Sequence, residues 1–201
     1  SKDRILSIGE QVASFLLSEY LKTHSSDVIL LDAQSLIKIK EFNKNREVVY
    51  EPTLANIKGA IADLKGIGVV PGFIGSAEDG SVRTMGRGGS DLTASLIAEA
   101  IQAEVLTLWS DVSGLYTADP RIVPDAFCIE ELSYEEALEM SYFGAGILYP
   151  PAVLPALRSN IPIQIKNSFY PEEKGTRIVR YSQDERIVKG ISCIKNISMV
   201  T

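Results

Sequence analysis

Gly86-Arg87-Gly88-Gly89-Ser90-Asp91 leads into the small-residue-rich run 92–103 and then into Glu104-Val105-Leu106-Thr107-Leu108-Trp109. A glycine turn, a helix and an apolar strand follow one another here, and the flanking segments repeat the alternation of strand and helix. Gly88 and Gly89 permit φ > 0 and leave no side chain to block a close approach. Ser90 reads as the N-cap, with Asp91 continuing into the helix. Unpaired amides and the positive end of the helix dipole then face the loop, which makes it a natural anion site. Arg87 projects from the same loop and can hold a carboxylate or phosphate through two parallel hydrogen bonds. A glycine pair before a helix is also common in plain turns; an arginine set between the glycines favours a ligand. No lysine follows the glycines, so the loop is not of the Walker type. With its third glycine missing, it is not a dinucleotide fingerprint either.

Upstream, Ile67-Gly68-Val69-Val70-Pro71-Gly72-Phe73-Ile74-Gly75 predicts one buried, parallel-type strand that ends in a tight loop. Before it, Pro52 opens a helix over 52–65, with Leu54, Ile57, Ile61 and Leu64 on one face and Gly66 as its stop. Asp27-Val28-Ile29-Leu30-Leu31 and Leu36-Ile37-Lys38-Ile39 read as short strands. Residues 4–21 read as an amphipathic helix carrying Ile5, Ile8, Val12, Phe15, Leu16 and Tyr20. Downstream, Ser133 caps a short helix over 134–140, and another helix covers 151–158. Pro162-Ile163-Gln164-Ile165-Lys166 and Thr176-Arg177-Ile178-Val179 are strands. The pattern predicts an α/β domain with a mostly parallel sheet covered on both faces. Residues 181–186 read as a polar linker, and Val188-Lys189-Gly190-Ile191-Ser192-Cys193-Ile194 as the opening strand of a further domain.

The composition excludes several classes of function. The chain has 201 residues, of which 45% are hydrophobic and 23% charged, as expected of a globular protein. A net charge of −6 gives no footprint for nucleic acid or an anionic membrane surface. Anionic ligands must therefore be held by a few local cations and amides. Cys128 and Cys193 stand far apart, too few for a structural zinc site, and read as reduced thiols of a cytoplasmic protein. No apolar run reaches the length of a membrane span, and no signal-peptide pattern opens the chain.

A second candidate site is Ser110-Asp111-Val112-Ser113-Gly114-Leu115-Tyr116-Thr117-Ala118-Asp119-Pro120-Arg121, just past the strand ending at Trp109. Open α/β sheets bind ligands beyond the carboxyl ends of their strands. Asp, Tyr and Arg side chains there offer polar groups, a stacking ring and a cation for a nucleotide. An ordinary surface excursion fits these residues equally. His24, the only histidine, has no triad partner in the sequence, and the pairs Glu130-Glu131 and Glu135-Glu136 read as solvated faces. Nucleophilic and glycosidase mechanisms thus lack their key residues. A carboxylate attacking a phosphoryl group needs no general base, because it is already ionised at neutral pH; positioning and charge neutralisation suffice.

Taken together, Gly72-Phe73-Ile74-Gly75, the 86–91 turn, the 110–121 stretch, Ser141-Tyr142-Phe143-Gly144-Ala145, and Ile165-Lys166-Asn167-Ser168 followed by Gly175-Thr176 resemble the aspartate kinase family. The resemblance covers nearly the whole chain in the right order. It implies the three-layer αβα fold of the amino acid kinase superfamily (carbamate kinase-like), truncated at its N-terminus. The kinase domain would occupy residues 1–180, and 181–201 would be a linker and the first strand of a truncated ACT regulatory domain. The implied reaction moves the γ-phosphoryl of ATP, with Mg2+, onto the side-chain carboxylate of L-aspartate to give 4-phospho-L-aspartate, in lysine, threonine and methionine biosynthesis.

Residue by residue, the resemblance gives Glu10 the amino group of aspartate, Arg87 a substrate carboxylate with Gly88, Gly89 and Ser90 helping, and Phe73 a pocket wall. Asp91 would orient a catalytic lysine. Ser110, Asp111, Tyr116 and Arg121 would surround the nucleotide, together with Gly146 and Ile147; no protein metal ligand is implied. Two departures stand out. The family's N-terminal Lys-Phe-Gly-Gly-Thr segment is not in this sequence, so the chain alone is expected to be inactive, and Gly146 replaces a phosphate-contacting lysine. The second departure motivates an alternative, a non-catalytic relative with a regulatory or assembly role; another amino acid kinase, acting on glutamate for instance, is a further one. Lys189-Gly190-Ile191-Ser192 and Ser133-Tyr134-Glu135-Glu136-Ala137 are similar to bifunctional aspartokinase–homoserine dehydrogenases, whereas the loops at Gly72 and Gly86 are closer to monofunctional ones. The full-length protein is expected to be a homo-oligomer, without nucleic acid or membrane partners.

Overall fold

A computed structural model describes residues 2–43, 45–142 and 148–192, in two units, Ser1–Gln102 and Ala103–Thr201. The first unit begins with α1 (Lys2–Lys22), followed by β1 (Val28–Leu30), which pairs in parallel with β4 (Ile67–Val69). Gly66 makes that pairing possible: a Cβ there would lie 1.9 Å from the carbonyl oxygen of Asp27, which accepts the amide of Ile67 at 2.7 Å. Of the strand expected at 36–39, Leu36 ends a short helix instead, α2 (Ala33–Leu36), which the Asp32 side chain caps by accepting from Gln34 N–H, while Lys38 makes a parallel bridge to Ser76. Strand structure starts at β2 (Ile39–Phe42), which forms a hairpin with β3 (Asn45–Val48). Helix α3 (Tyr50–Ile61) follows, two residues ahead of the predicted start.

The apolar stretch at 67–75 is two strands and not one. After β4 the chain breaks at Pro71-Gly72-Phe73, where Phe73 takes φ 69°, and resumes as β5 (Ile74–Ser76), paired with β6 (Val82–Thr84). Helix α4 (Gly89–Ile101) ends on Gln102 in the left-handed conformation. The core of this unit gathers Leu36, Ile37, Ile39, Ile57, Leu96 and Ala100 from α2, β2, α3 and α4. Tyr50 Oη donates to the Glu99 carboxylate, tying α3 to α4.

Helix α1 departs from the usual amphipathic arrangement. Its apolar stripe faces outward, with Ile5 72% and Phe15 51% exposed, while Asp3, Ser7 and Ser18 are buried. Small and polar residues let the helix approach the β-structure closely, and each buried group is satisfied. Ser7 and Ser18 donate to carbonyls three residues back, and Asp3 is held from outside the helix.

In the second unit, β7 (Leu106–Ser110), β8 (Glu131–Ser133), β9 (Ile163–Asn167) and β10 (Thr176–Val179) form one sheet in the order β7-β9-β10-β8. β7 runs parallel to β9 and β8 parallel to β10, while β9 and β10 are antiparallel. Ile163, Ile165, Ile178 and Leu132 are fully buried on it. Helix α5 (Tyr134–Met140) is capped by Ser133 as expected, but Glu136, expected on a solvated face, closes a capping box with it, and α6 (Pro150–Arg158) follows. Residues 188–192, expected to begin a strand, form none; Cys193 and Ile194 of that expectation lie outside the described residues.

The Asp3 carboxylate receives Arg46 at 2.5 and 3.0 Å and the Thr84 hydroxyl at 2.7 Å, while Arg46 also donates to the Thr84 carbonyl. This latch joins α1, the β2–β3 hairpin and the end of β6. The Arg46 guanidinium, against the opposing effect of burial and with help from the Thr84 hydroxyl and amide, holds the Asp3 carboxyl down at about 2. A depressed carboxyl stabilises the fold above its unfolded-state value, and that stabilisation is lost as pH falls toward 2. Asp3→Asn is therefore expected to destabilise the protein by about 2 kcal/mol at pH 7. In urea unfolding, the gap to the parent should narrow steadily below pH 4.

Candidate functional site

The turn between β6 and α4 borders a cavity of about 200 Å³ lined by Glu10, Phe73, Gly86, Gly88, Gly89, Ser90 and Asp91. Five of the expected acid-binding residues, Glu10, Phe73, Gly88, Gly89 and Ser90, thus converge on one space, with Asp91 beside them. They come from α1, the break between β4 and β5, and the start of α4. Arg87 sits exposed at the tip of the same turn, not among the lining residues.

Local geometry differs from the sequence reading in two respects. Gly86 and Gly88 take positive φ, at 79° and 70°, whereas Gly89 does not. Gly88 is therefore the N-cap, and Ser90 lies within the first helical turn. The left-handed Gly88 turns the chain earlier than a serine cap would. Gly89 is required for a different reason: a Cβ there would lie 2.9 Å from both Met85 Cβ and Phe73 Cδ2. Gly72 is equally tight, with its virtual Cβ 3.0 Å from Ser90 Cα. The two glycines let the Phe73 turn press onto the helix start.

Thr93, which sequence reasoning missed, locks this contact. Its hydroxyl accepts from Phe73 N–H at 3.2 Å and donates to Gly89 C=O at 2.8 Å, and Met85 N–H donates to Phe73 C=O at 3.0 Å. Phe73 holds its left-handed backbone within this frame, a strain of about 1–3 kcal/mol for a residue with a side chain. A threonine four residues past Gly89 was a faint signal, since threonine in a helix bonds back to the carbonyl four residues earlier.

Ser90 and Asp91 lie in the first turn, where no helical carbonyl stands behind their amides. The Asp91 carboxyl is half-buried, and burial pushes its pKa up. With Glu10 on another wall, the cavity sets two carboxyl groups against a helix N-terminus. That is an environment for a ligand carrying both charges, anionic at one end and cationic at the other.

The nucleotide candidates lie in the second unit. Ser110, the last residue of β7, is the register partner of Asn167, the last of β9, so both strands deliver their carboxyl ends to one edge. There the Ser110 hydroxyl donates to the Asp111 carboxylate at 3.1 Å, and Ser168 donates to the Ser110 carbonyl through its amide and hydroxyl. Buried Asn167 donates to Ser113 Oγ at 3.1 Å and fixes the start of the loop. The loop returns as a hairpin-like excursion, with Tyr116 bridging Cys128. Arg121 makes a bidentate pair with Asp119 at 3.0 and 2.8 Å and is otherwise exposed. Gly146 and Ile147 lie outside the described residues. Asn167 and Ser168 were quoted in the sequence motif but not given a role.

His24 is exposed at the end of α1 against the Tyr20 ring. Cys128 is half-buried, and burial pushes its thiol pKa up, which makes it a poor nucleophile. Among the described residues, no group of three or more His, Cys, Asp and Glu could hold a metal ion, and no helix is long and apolar enough to cross a membrane.

Residues 1–167 match the model of the amino acid kinase family. The chain belongs to that family. It is 34% identical over 209 residues to the lysine-sensitive aspartokinase 3 of Escherichia coli K12, covering 99% of this chain and 45% of the relative. It is 33% identical to the bifunctional aspartokinase/homoserine dehydrogenase of Haemophilus influenzae, covering 95% of this chain and 24% of that protein. The fold matches the crystal structure of E. coli aspartokinase III in complex with aspartate and ADP, at a TM-score of 0.85 and 34% identity, over 94% of this chain and 42% of that one. The expected amino acid kinase fold is therefore the one observed. The chain spans less than half the length of these relatives, and the two identities do not distinguish a monofunctional from a bifunctional parent.

Thr93→Val keeps the shape of the side chain and removes its hydroxyl, leaving Phe73 N–H without its partner. It is expected to cost about 1–3 kcal/mol in urea unfolding.

Proposed function

We propose that the protein is an ATP-dependent aspartate kinase and that this chain contains its acid-binding cavity and much of its nucleotide site. The observation that carries the proposal is the cavity at the start of α4, where a helix N-terminus faces Glu10 and Asp91. An amino acid zwitterion fits that polarity. Its ammonium pairs with Glu10, and its carboxylates take the first-turn amides and Arg87. Phe73 closes one wall. The similarity to an enzyme crystallised with aspartate and ADP supports the same reading.

In the proposed reaction, a side-chain carboxylate oxygen of aspartate attacks the γ-phosphorus of ATP. The new P–O bond forms as the bond to the β-phosphate oxygen breaks, giving 4-phospho-L-aspartate and ADP. No proton has to be removed from the nucleophile, so the protein's tasks are alignment and charge neutralisation. Ser110, Asp111 and Tyr116 contribute to the nucleotide site, and Arg121 reaches phosphate by leaving or sharing its pair with Asp119. Magnesium would neutralise phosphate charge. The described residues offer isolated carboxylates and not a cage, which suits an ion held mainly by phosphate oxygens and water, with Asp111 the nearest protein candidate. Asp91, whose half-burial raises its pKa, orients a cationic partner at the acid end.

The test is hydroxamate trapping of the acyl phosphate formed by the full-length protein from ATP and L-aspartate. Product with aspartate and little with glutamate is expected; no product from aspartate contradicts the proposal. Arg87→Ala is expected to raise the KM for aspartate about tenfold or more, the loss of a charge-assisted pair, with little change in the KM for ATP.

A further inference from the structure

The segment 181–192, expected to be a polar linker over 181–186 and then the start of a strand, touches the loop that carries the nucleotide candidates at two points. Ile191 N–H donates to the Thr117 carbonyl at 2.8 Å. Thr117 is the centre of that loop: its amide donates to the Phe127 carbonyl at 2.9 Å, and its hydroxyl accepts from Phe127 N–H at 3.2 Å. The Arg186 guanidinium lies 5.8 Å from the centre of the Phe127 ring. Gly190 admits the close pass, since a Cβ there would lie 2.8 Å from Met140 Cε and 3.3 Å from the Thr117 oxygen.

The segment is anchored at the other side by an ion pair whose lysine is buried. Lys189 has a side chain only 6% exposed; its Nζ donates to Glu136 Oε2 at 2.9 Å and to Ser182 Oγ at 3.1 Å, and lies 2.8 Å from Glu136 Oε1. Glu136 is itself fixed by the capping box of α5, accepting Ser133 N–H at 2.7 Å. A desolvated lysine with this many partners is a costly feature for a mere tether.

We infer that residues 182–191 form a strap that positions the nucleotide loop, with Lys189 as the anchor and the Ile191 amide as the positioning donor to Thr117. The inference rests on the reading of 110–121 as part of the nucleotide site. The strap holds the carbonyl of the residue after Tyr116, and so fixes where Tyr116 and Arg121 stand when the nucleotide arrives. Without it the loop must be ordered by the ligand, which weakens binding of the ligand without altering the acid cavity.

Ile191→Pro isolates the contact. The side chain is exposed, and the glycine before it has no Cβ for the proline ring to strike, so the change is aimed at the N–H donor. In the full-length protein, Ile191→Pro is expected to weaken ADP binding about fivefold in calorimetry, the worth of one hydrogen bond, with the KM for aspartate unchanged. Ile191→Ala, which keeps the amide, should bind ADP as the parent does. Lys189→Met should weaken ADP binding in the same sense as Ile191→Pro, and Lys189→Arg should restore part of it. Unchanged ADP binding in Ile191→Pro, or an equal loss in Ile191→Ala, overturns the strap; if Ile191→Pro does not fold, the Lys189 pair decides alone. Parent protein that fails to bind ADP at all overturns both the strap and the nucleotide site. ADP binding that responds to Ile191→Pro, in a protein that makes no aspartyl phosphate, supports the strap and removes the aspartate kinase reading.

Discussion

The hydroxyl of Thr93 ties together the two segments that border the cavity at the start of α4. It accepts from the amide of Phe73 and donates to the carbonyl of Gly89, so one small group joins the broken strand to the first turn of α4. Everything around it follows from that closeness. Gly72 and Gly89 lack side chains because the two segments touch there, and Phe73 tolerates a left-handed backbone because its amide and carbonyl are both fixed. The latch of Asp3, Arg46 and Thr84 then sets the end of β6, from which the turn springs.

A chain with a net charge of −6 has no general attraction for anions, and the cavity is consistent with that. Its positive character comes from amides at a helix start, which act at short range, and its negative character from Glu10 and Asp91. In the proposed reading, such a mixed lining discriminates by charge geometry. A bare phosphate would gain from the amides but meet two carboxyl groups, whereas an amino acid can satisfy both. The second unit works differently: its candidate groups are polar side chains and loop carbonyls at strand ends, with Arg121 balanced by Asp119.

Much of this was legible in the sequence because the relevant signals are local. The glycine turn, the Ser133 cap of α5, and the apolar strand at 162–166 depend on near neighbours, and the structure has them where expected. Ser90 was misplaced by two positions because cap propensity is outweighed by a left-handed glycine. The stretch at 67–75 looked like one strand because periodicity alone does not register a break forced by the packing of Phe73 against α4. Helix α1 inverted the usual rule for a tertiary reason: Asp3 is buried by partners 43 and 81 residues away, which no window of sequence contains. The bond between Thr93 and Phe73 and the contact of Lys189 with Glu136 were unreadable on the same ground.

The central claim is that the turn at 86–91 grips the amino acid and not the nucleotide. Amide spectra of 15N-labelled protein, titrated separately with L-aspartate and with ADP, test it most directly. The account predicts that the resonances of Gly88, Gly89 and Ser90 shift with aspartate and stay in place with ADP alone. Shifts of those three amides with ADP, and none with aspartate, would contradict it.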